Sequence, residues 1–359
     1  MNNAPTTNPV RILLVGDTHI GAAQAGQGRI GCRDRDFLAN LERALAPALS
    51  GQADIVVHTG DMFDRRDAPS AQVNAALTLL YTVADRGIAV CIVPGNHENG
   101  KLPLSLWTSH PGIHVFDQPR TYVCQVAGSA IALSGFPYAA EARAEFRQLV
   151  AATAYRDVPA EAHLLCIHQT VEGARVGPQN YTFRSGRDVV RGADIPGNIA
   201  AVLAGHIHRC QMLTRTLAGA PLGAPVIYAG SVERTSFAEA HEPKAYAQIT
   251  LDTRERSVQV QFVPLPTRPM VVVQLNADLY SDNSLIDTLA AQLARVPLDA
   301  VIQVRLQGES AETALETLSG SPLRAIAPET MHISLTTPRA RTRRSVEPAP
   351  ELPLGADPA

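Results

Sequence analysis

The stretch RILLVGDTHIG, residues 11–21, joins a short apolar run to a Gly-Asp-Thr-His phrase, and this combination recurs along the chain. A short apolar run of this kind predicts a buried strand, so the polar residues directly after it lie at the strand's carboxyl end. The other phrases are Gly60-Asp61, Gly95-Asn96-His97, the lone His168, and Gly205-His206-Ile207-His208. Because open α/β sheets bind ligands at the carboxyl ends of their strands, these phrases predict one shared site.

In the first part of the chain, predicted helices lie between successive predicted strands. Apolar residues recur at helical spacing from Phe37 to Leu49 and from Val73 to Ala84, and Gly87 closes the second helix. From Tyr122 onward the apolar runs follow one another more directly. The pattern predicts an α/β (α+β) fold, a four-layer β-sandwich flanked by helices over residues 9–264.

A cluster of prolines, Pro264, Pro266 and Pro269, marks a domain boundary. Strand and helix patterns alternate again after it, which predicts a small C-terminal α+β capping domain over residues 265–337. Residues 338–359 are rich in Arg, Pro and Ala, and this composition predicts a disordered tail.

The composition excludes several classes of protein. The chain has 359 residues, 45% of them hydrophobic, which is enough for one large and one small core. It has no apolar run near the roughly 20 residues of a membrane helix and no apolar signal segment in residues 1–9. Its five cysteines form no CxxC pair. These features predict a cytoplasmic protein with reduced thiols, associated with the nucleoid if the source is a prokaryote.

The spacing within the phrases suggests how they present ligands. Asp17 and His19 are two residues apart, so on an extended strand end both would point to the same side. His206 and His208 repeat this spacing on a different strand. We therefore expect each pair to face the site together.

The ligand types indicate a pair of divalent cations. Asp61 can bridge two cations because an ionised carboxylate has about four lone-pair sites. Asn96 adds a neutral carbonyl oxygen, and His168 adds an imidazole. Oxygen and imidazole ligands without thiolate favour Mn, Fe or Zn. Two such cations about 3.5–4 Å apart would clamp a phosphate and lower the pKa of a bridging water toward about 7.

Two further residues are candidates for the chemistry itself. His97 directly follows Asn96 and cannot easily share its metal, so we assign it to the phosphate, where an imidazolium would stabilise the transition state or protonate the leaving oxygen. Asp64, three residues after Asp61, is predicted to orient a ligand or His97. The alternative for Asp64 is a carboxylate that caps a turn or a helix.

These motifs resemble those of the calcineurin-like metallophosphoesterases. A narrower resemblance, to the SbcD and meiotic-recombination-eleven DNA repair nucleases, is carried by three further stretches. They are GSVERTSFAE at residues 230–239 followed by Pro243-Lys244-Ala245, Arg35-Asp36-Phe37, and PLPTRP at residues 264–269.

The resemblance implies a two-metal site and a catalytic His97. It implies one metal on Asp17, His19, Asp61 and His208, and the other on Asp61, Asn96, His168 and His206. It further implies manganese-dependent 3′-to-5′ exonuclease action on duplex DNA and endonuclease action on single strands.

The resemblance also implies partners. These are DNA ends, a second copy of the chain bound through helices of the core, and an SMC-like coiled-coil ATPase of the SbcC type. The stripe from Val73 to Ala84 is our candidate for the homodimer contact. Residues from Pro338 to Ala359 have few periodic apolar positions, so the sequence predicts no docking helix for the ATPase there.

A DNA ligand would need positive groups around the site, because the net charge of the chain is −3. Basic residues in loops near strand ends are candidates for phosphate contact, and solvated loop charge is the alternative. The candidates are Arg33, Arg35, Arg65, Arg66, Lys101, Arg184 and Arg187. Arg234 is predicted instead to form a structural salt bridge that supports the loops of His206 and His208.

Two other functions remain open. The first is a phosphodiesterase for a small substrate, which a pI of about 6.4 favours and the capping domain disfavours. The second is a scaffold without catalysis, which the complete set of ligand positions disfavours.

Overall fold

The computed structural model describes residues 9–22, 27–30, 33–98 and 109–338. In chain order the strands of the first half are β1 (Val10–Val15), β2 (Gln27–Ile30), β3 (Ile55–His58), β4 (Ala89–Ile92), β5 (Ile113–Val115), β6 (Arg120–Val126), β7 (Ser129–Gly135) and β8 (Ala162–His168). Those that follow are β9 (Thr170–Val171), β10 (Arg175–Val176), β11 (Tyr181–Thr182), β12 (Val189–Val190), β13 (Ala201–Gly205), β14 (Gln211–Arg215), β15 (Pro221–Tyr228), β16 (Lys244–Asp252), β17 (Ser257–Leu265), β18 (Met270–Asn276), β19 (Val301–Gln307) and β20 (His332–Thr336). The helices are α1 (Asp34–Leu49), α2 (Ser70–Ala84), α3 (Ala142–Ala152), α4 (Asp282–Leu293), α5 (Ala311–Leu318) and α6 (Ser321–Ile326).

Two mixed six-stranded sheets form the large part of the molecule. The first has the order β17-β16-β1-β3-β4-β5, and the second has the order β14-β15-β13-β8-β7-β6. Four neighbouring strands are parallel in each sheet; antiparallel strands follow at one edge of the first sheet and at both edges of the second. The predicted α/β fold class is confirmed.

Apolar side chains hold the layers together. Leu14 and Val57 of the first sheet share one buried cluster with Leu133, Leu164 and Leu203 of the second sheet, so the two sheets pack face to face. Helices α1 and α2 cover the outer face of the first sheet, and α3 covers the outer face of the second. This packing leaves the carboxyl ends of the parallel strands of both sheets at a common edge.

Helix α2 uses its apolar stripe within the chain itself. Ala76, Leu77 and Leu80 are buried against the first sheet and α1. Val73 and Tyr81 of the same stripe are only partly buried, so part of the stripe predicted as a dimer contact remains at the surface. The homodimer and its contact through this stripe stay predictions.

A separate core lies between a small four-stranded sheet and helices α4, α5 and α6. The small sheet has the order β18-β19-β20-β2, in which the first three strands are parallel. The sequence pattern predicts those three strands but not β2. Strand β2 follows the first metal-binding phrase and pairs antiparallel with β20, which covers an edge that would otherwise have unpaired backbone groups.

Arg268 joins the small sheet to the large part of the molecule. Its guanidinium lies 3.1 Å from Asp36 of α1 and donates to the backbone carbonyls of Asp299 and Thr330. Arg234 in turn donates to the carbonyl of Arg268 at 3.0 Å and to that of Glu242 at 3.1 Å. Arg234 thus bridges segments, as a structural residue would.

None of the helices in the described ranges is long and apolar enough to span a membrane.

Candidate metal centre

The five phrases meet at the common edge of the two sheets. Asp17 follows β1, Asp61 follows β3, and His206 follows β13. The Asp17 amide donates to the Gly60 carbonyl at 2.9 Å, and the His206 amide donates to the Asp17 carboxylate at 2.9 Å. These bonds tie loops from both sheets to one another, so the side chains they carry are held at fixed positions.

Asp17, His19 and His208 form the first cluster of ligand atoms. One ligand atom from each lies within 4.8 Å of the other two. The Nε2 atoms of His19 and His208 are 3.0 Å apart, and Nε2 of His208 is 4.0 Å from Asp17 Oδ1. Asp17 and His19 are buried, and His208 is partly open to solvent.

Asp61, His168 and His206 form the second cluster, and Asn96 lies among them. Asn96 Oδ1 is 3.0 Å from His168 Nε2 and 2.8 Å from His206 Nδ1. The other nitrogen of His168, Nδ1, donates to the Thr59 carbonyl at 2.6 Å. This bond fixes the imidazole so that Nε2 faces the cluster.

Asp61 lies between the two clusters. Its Oδ1 accepts the His97 amide at 2.9 Å, while Oδ2 is 3.3 Å from His168 Nε2 and 3.8 Å from His19 Nε2. One oxygen of Asp61 is thus anchored to the backbone, and the other lies between two imidazole groups with lone pairs directed at both clusters.

The backbone at the ligands is left-handed, which the extended-strand argument did not anticipate. Asp17, His19, Asp61 and His206 have φ of 50°, 41°, 49° and 83°. Such conformations cost energy in non-glycine residues and cluster at functional sites. The backbone is therefore not the extended strand end that was expected, yet both histidines of the second pair reach the site, His208 in the first cluster and His206 in the second.

The donor set fits divalent cations. Nε2 of His168 faces the oxygens of Asn96 and Asp61, which only accept hydrogen bonds, so a proton or a cation is needed there. Burial disfavours the charged imidazole, but the Asp61 carboxylate outweighs it and raises the pKa of His168 to about 9. Burial and then the charge on His168 lower the pKa of His206 to about 3. Without metal, a proton on His168 therefore balances Asp61, and a cation would take over that role.

His97 and Asp64 lie at the open side of the site. Nδ1 of His97 donates to the backbone carbonyl of Asp64 at 2.6 Å, which leaves Nε2 facing the site, 4.0 Å from Asp61 Oδ2. The carboxylate of Asp64 lies 3.6 Å from Nδ1 of His19. Its interaction with His19 lowers the pKa of Asp64, against the effect of burial. Asp64 thus contacts His97 through its carbonyl and His19 through its carboxylate, so both contacts are compatible with the predicted positioning role, which stays a prediction.

Sequence reasoning gave Glu98 no role, although it directly follows the phrase Gly95-Asn96-His97. Its buried carboxylate accepts the backbone N–H groups of Asp61 at 3.0 Å, Phe63 at 3.1 Å, Gly95 at 2.7 Å, and Met62. Burial and the nearby charge of Asp61 raise the pKa of Glu98 to about 7. Glu98 therefore fastens the Asp61 loop to the loop of Asn96 and His97. A side chain at Gly95 would collide with Asp61, which explains the glycine there.

Glu239 also escaped sequence reasoning, although it lies in the segment 230–239. Its Oε1 is 3.0 Å from Nδ1 of His208, and its Oε2 is 2.7 Å from Nζ of Lys244. The sequence does contain a signal for it: the segment 230–244 holds an acidic residue and a lysine but had been given no role in the site.

The basic residues predicted to contact DNA differ in their surroundings. Arg35, Arg65, Arg66, Arg184 and Arg187 are exposed, and Arg65 and Arg187 pair with Asp67 and Glu141. Lys101 lies outside the described residues. Arg33 is buried between Asp36 and Glu233 and donates to the Arg234 carbonyl, so it cannot reach a ligand. We therefore remove Arg33 from the DNA-contact set.

A cavity of about 280 Å³ opens beside His206 and His208, with apolar walls from Val176, Phe183 and Ile207. Tyr181, on the β10–β11 hairpin next to it, is 60% exposed, and its ring meets that of Phe183 at 5.2 Å. A group flanking a phosphate could therefore rest against apolar and aromatic surface here. Sequence reasoning missed this surface because two-residue strands carry no periodic signal.

The chain is similar to several characterised proteins. It is 22% identical to the DNA double-strand break repair protein Mre11 of Methanosarcina mazei over 84% of this chain and 46% of that protein. It is 25% identical to the SbcD component of the nuclease SbcCD of Bacillus subtilis over 73% of this chain and 71% of that protein. The chain therefore spans about half the length of the first relative and most of the second.

A family model provides broader evidence. The model of the calcineurin-like phosphoesterases matches residues 10–210, which is more than half of the chain and contains every phrase of the metal centre. With this match, the chain belongs to the calcineurin-like phosphoesterase family.

Proposed function

We propose that the protein is a metal-dependent DNA repair nuclease that cleaves phosphodiester bonds, acting as a 3′-to-5′ exonuclease on duplexes and as an endonuclease on single strands. The observation that carries the hydrolytic part is the position of Asp61 Oδ2 between the imidazoles of His19 and His168. The DNA substrate is supported by the names of the relatives and by the small domain beside the site.

The two clusters suggest how the residues would hold two cations. Asp17, His19 and His208 would hold one and Asn96, His168 and His206 the other, with Asp61 common to both. Manganese is our expectation, with iron or zinc as alternatives, because the ligands are oxygen and imidazole. When bound, two such cations polarise a phosphoryl oxygen and supply an activated water.

His97 is the proposed catalytic side chain. Its Nδ1–H is held by the Asp64 carbonyl, so its Nε2 is the atom that can give a proton to the leaving oxygen or a hydrogen bond to the phosphate. The side chain is 35% exposed at the mouth of the site, where a substrate can reach it. Asp64 would act on it by fixing the ring.

The surroundings of the site suit a nucleotide chain. The exposed ring of Tyr181 offers a stacking surface for a base, and base stacking on aromatic side chains tolerates any sequence. The exposed Arg65, Arg66, Arg184 and Arg187 would contact phosphates, which follows backbone shape without reading sequence.

A small-substrate phosphodiesterase is the second candidate. The cavity beside His206 and His208 favours it, since about 280 Å³ could enclose the organic group of a small ester. The same metal ligands would serve both functions, so substrate tests must decide between them.

The experiment compares the purified protein with its His97→Ala variant on three substrates with Mn²⁺. The substrates are a 5′-labelled DNA duplex, a single-stranded oligonucleotide and a simple aryl phosphodiester. We expect shortening of the duplex from its 3′ ends and cleavage of the single strand, both reduced by about 100-fold or more in the variant. His110→Ala is the matched control, because His110 lies away from the site against Asp85.

Cleavage of the aryl ester while both DNA substrates stay intact would replace the nuclease by the small-substrate enzyme. An unchanged rate for His97→Ala would remove the proposed role of His97.

We also propose that the chain works with a coiled-coil ATPase of the SbcC type at DNA ends, since the Bacillus subtilis relative is by its name one part of a complex. Co-expression with such an ATPase, followed by size-exclusion chromatography, tests this partnership and the homodimer together. Separate elution of the two proteins contradicts the partnership, and a monomeric mass contradicts the dimer.

A further inference from the structure

The segment from Gly230 to Lys244 approaches the metal centre most closely at Glu239. This residue ends a single turn of 3₁₀ helix, Phe237–Glu239, that runs beside His208. Its Oε1 lies 3.0 Å from Nδ1 of His208, on the side of the ring opposite the metal-facing Nε2. The segment thus contacts the proposed ligand His208 on the side of its ring that is turned away from the first cluster.

Lys244 holds the other oxygen of this carboxylate. Its Nζ lies 2.7 Å from Oε2 of Glu239 and donates to the His208 carbonyl at 3.1 Å. Glu242 is a more distant neighbour at 3.8 Å. The Lys244 side chain has no solvent exposure, and burying an ammonium is costly unless it is paired and hydrogen-bonded. The ammonium group of Lys244 is therefore stabilised mainly by its ion pair with Glu239 and its hydrogen bond to the His208 carbonyl.

Thr235 completes the support of Glu239. Its hydroxyl donates to Oε1 at 2.8 Å, and its amide donates to Oε2 at 3.2 Å. The hydroxyl oxygen also lies 3.2 Å from Nδ1 of His208, so it can accept a share of the same ring proton. Each carboxylate oxygen thus has its own fixed partners. Because a rotation of the carboxylate would break several of these bonds at once, Oε1 stays directed at His208.

This geometry selects one form of His208. A carboxylate oxygen only accepts hydrogen bonds, so Nδ1 of His208 must donate to Glu239, and the lone pair of the neutral ring is then on Nε2. Nε2 is the atom that faces His19 and Asp17 in the first cluster. A partner of this kind behind a metal-binding histidine fixes the ring and its tautomer.

We propose that Glu239 and Lys244 are positioning residues, which together hold His208 with its Nε2 lone pair directed into the first cluster, ready for a divalent cation. The inference rests on the proposed metal-dependent function, which it deepens by giving the segment 230–244 a task. It concerns one cluster only, since no described contact joins Glu239 to His168 or Asn96.

The test uses charge-balanced variants, so that no buried charge is left alone. Glu239→Leu with Lys244→Met removes the acceptor and the ammonium together, whereas Glu239→Gln with Lys244→Met keeps one acceptor oxygen. Glu242→Gln is the matched control, because Glu242 pairs with Arg209 and lies near Lys244 but does not contact His208.

Two readouts do not depend on catalysis. The ¹⁵N chemical shifts of the His208 ring in the metal-free protein report its tautomer, and Mn²⁺ titration by calorimetry reports the affinity of each site. We expect the Leu/Met variant to lose the single tautomer and to bind one of two Mn²⁺ ions about 10- to 100-fold more weakly. The Gln/Met variant should keep part of the tautomer preference and part of the Mn²⁺ affinity. In Glu242→Gln both should equal those of the unaltered protein.

A folded Leu/Met variant with an unchanged tautomer and unchanged Mn²⁺ affinity would overturn the inference and leave Glu239 as a structural salt bridge. Equal weakening of both ions would also overturn it, because the effect would then be general. If the unaltered protein binds Mn²⁺ but cleaves no DNA, the proposed nuclease fails while the inference stands on the same data.

Discussion

Removal of Glu98 should have a large structural effect on the site. Replacing it by Ala removes one buried carboxylate that accepts four backbone N–H groups, from Asp61, Met62, Phe63 and Gly95. These donors belong to two loops that carry Asp61 on one side and Asn96 and His97 on the other. The change should therefore weaken the fold and loosen the metal centre together.

The magnitude follows from these bonds. A hydrogen bond to a charged group contributes about 1.5–3 kcal/mol, and a buried donor left without a partner costs about 1–3 kcal/mol. Four bonds to one carboxylate are not additive, and burial beside Asp61 already makes ionised Glu98 costly, as its raised pKa of about 7 indicates. We therefore expect Glu98→Ala to lower the free energy of unfolding by about 3–5 kcal/mol. This corresponds to a fall in Tm of roughly 10 °C for a domain of this size.

Thermal unfolding of the metal-free protein, followed by circular dichroism, measures the effect. Glu161→Ala is the control, because Glu161 is also a carboxylate that accepts a backbone N–H, but only that of Ala130 and at the surface. The control should lose less than about 1 kcal/mol. If Glu98→Ala and Glu161→Ala lower the Tm equally, the four bonds do not hold the loops together, and the structural role given to Glu98 is refuted.

Three further predictions concern other parts of the molecule. Partial burial opposes ionisation of Asp54, but hydrogen bonds from Arg11 outweigh it and hold the pKa of Asp54 below its usual value. Its stabilising contribution, about 1 kcal/mol, is therefore present at neutral pH and is lost as the pH falls below about 4, so the Tm of Asp54→Asn should approach that of the unaltered protein in acid. Tyr181→Ala should weaken binding of single-stranded DNA, measured by fluorescence anisotropy, by about 1–3 kcal/mol. Arg268→Ala removes the bond to Asp36 of α1 and the bonds to the carbonyls of Asp299 and Thr330, so hydrogen exchange in β18, β19 and β20 should become faster.

Each of these has its own control. Arg11→Met should reproduce the pH dependence of Asp54→Asn, and a Tm difference that persists in acid would contradict the pair. Val123→Ala changes another exposed apolar residue and should leave DNA binding unaltered, whereas an unchanged affinity in Tyr181→Ala would exclude stacking there. Arg268→Lys keeps a charge beside Asp36 but loses the planar fork, so its exchange rates should fall between those of Arg268→Ala and the unaltered protein.

Much of the fold could be predicted from the sequence. Apolar runs such as residues 11–15 and helical stripes such as Phe37 to Leu49 are local patterns that follow from the periods of strands and helices. The same local rule located the ligand types, because the polar phrases directly follow the strands. Helix α3 was missed although Ala142, Phe146 and Val150 recur at helical spacing, whereas the strands β9 to β12 have only two residues each and give no periodic signal.

Tertiary structure decided which of these residues act together. His19 and His208 are 189 residues apart, yet their Nε2 atoms lie 3.0 Å from each other. Contacts at such separations depend on how the two sheets pack, which no local pattern encodes. For the same reason the carboxylate of Glu239 behind His208, the burial of Arg33 and the pairing of β2 with β20 were found only in the fold. The sequence alone determined the kinds of candidate ligand and the positions of most strands along the chain. Packing determined which of these groups lie close enough to share a cation site, because the core between the two sheets sets their distances.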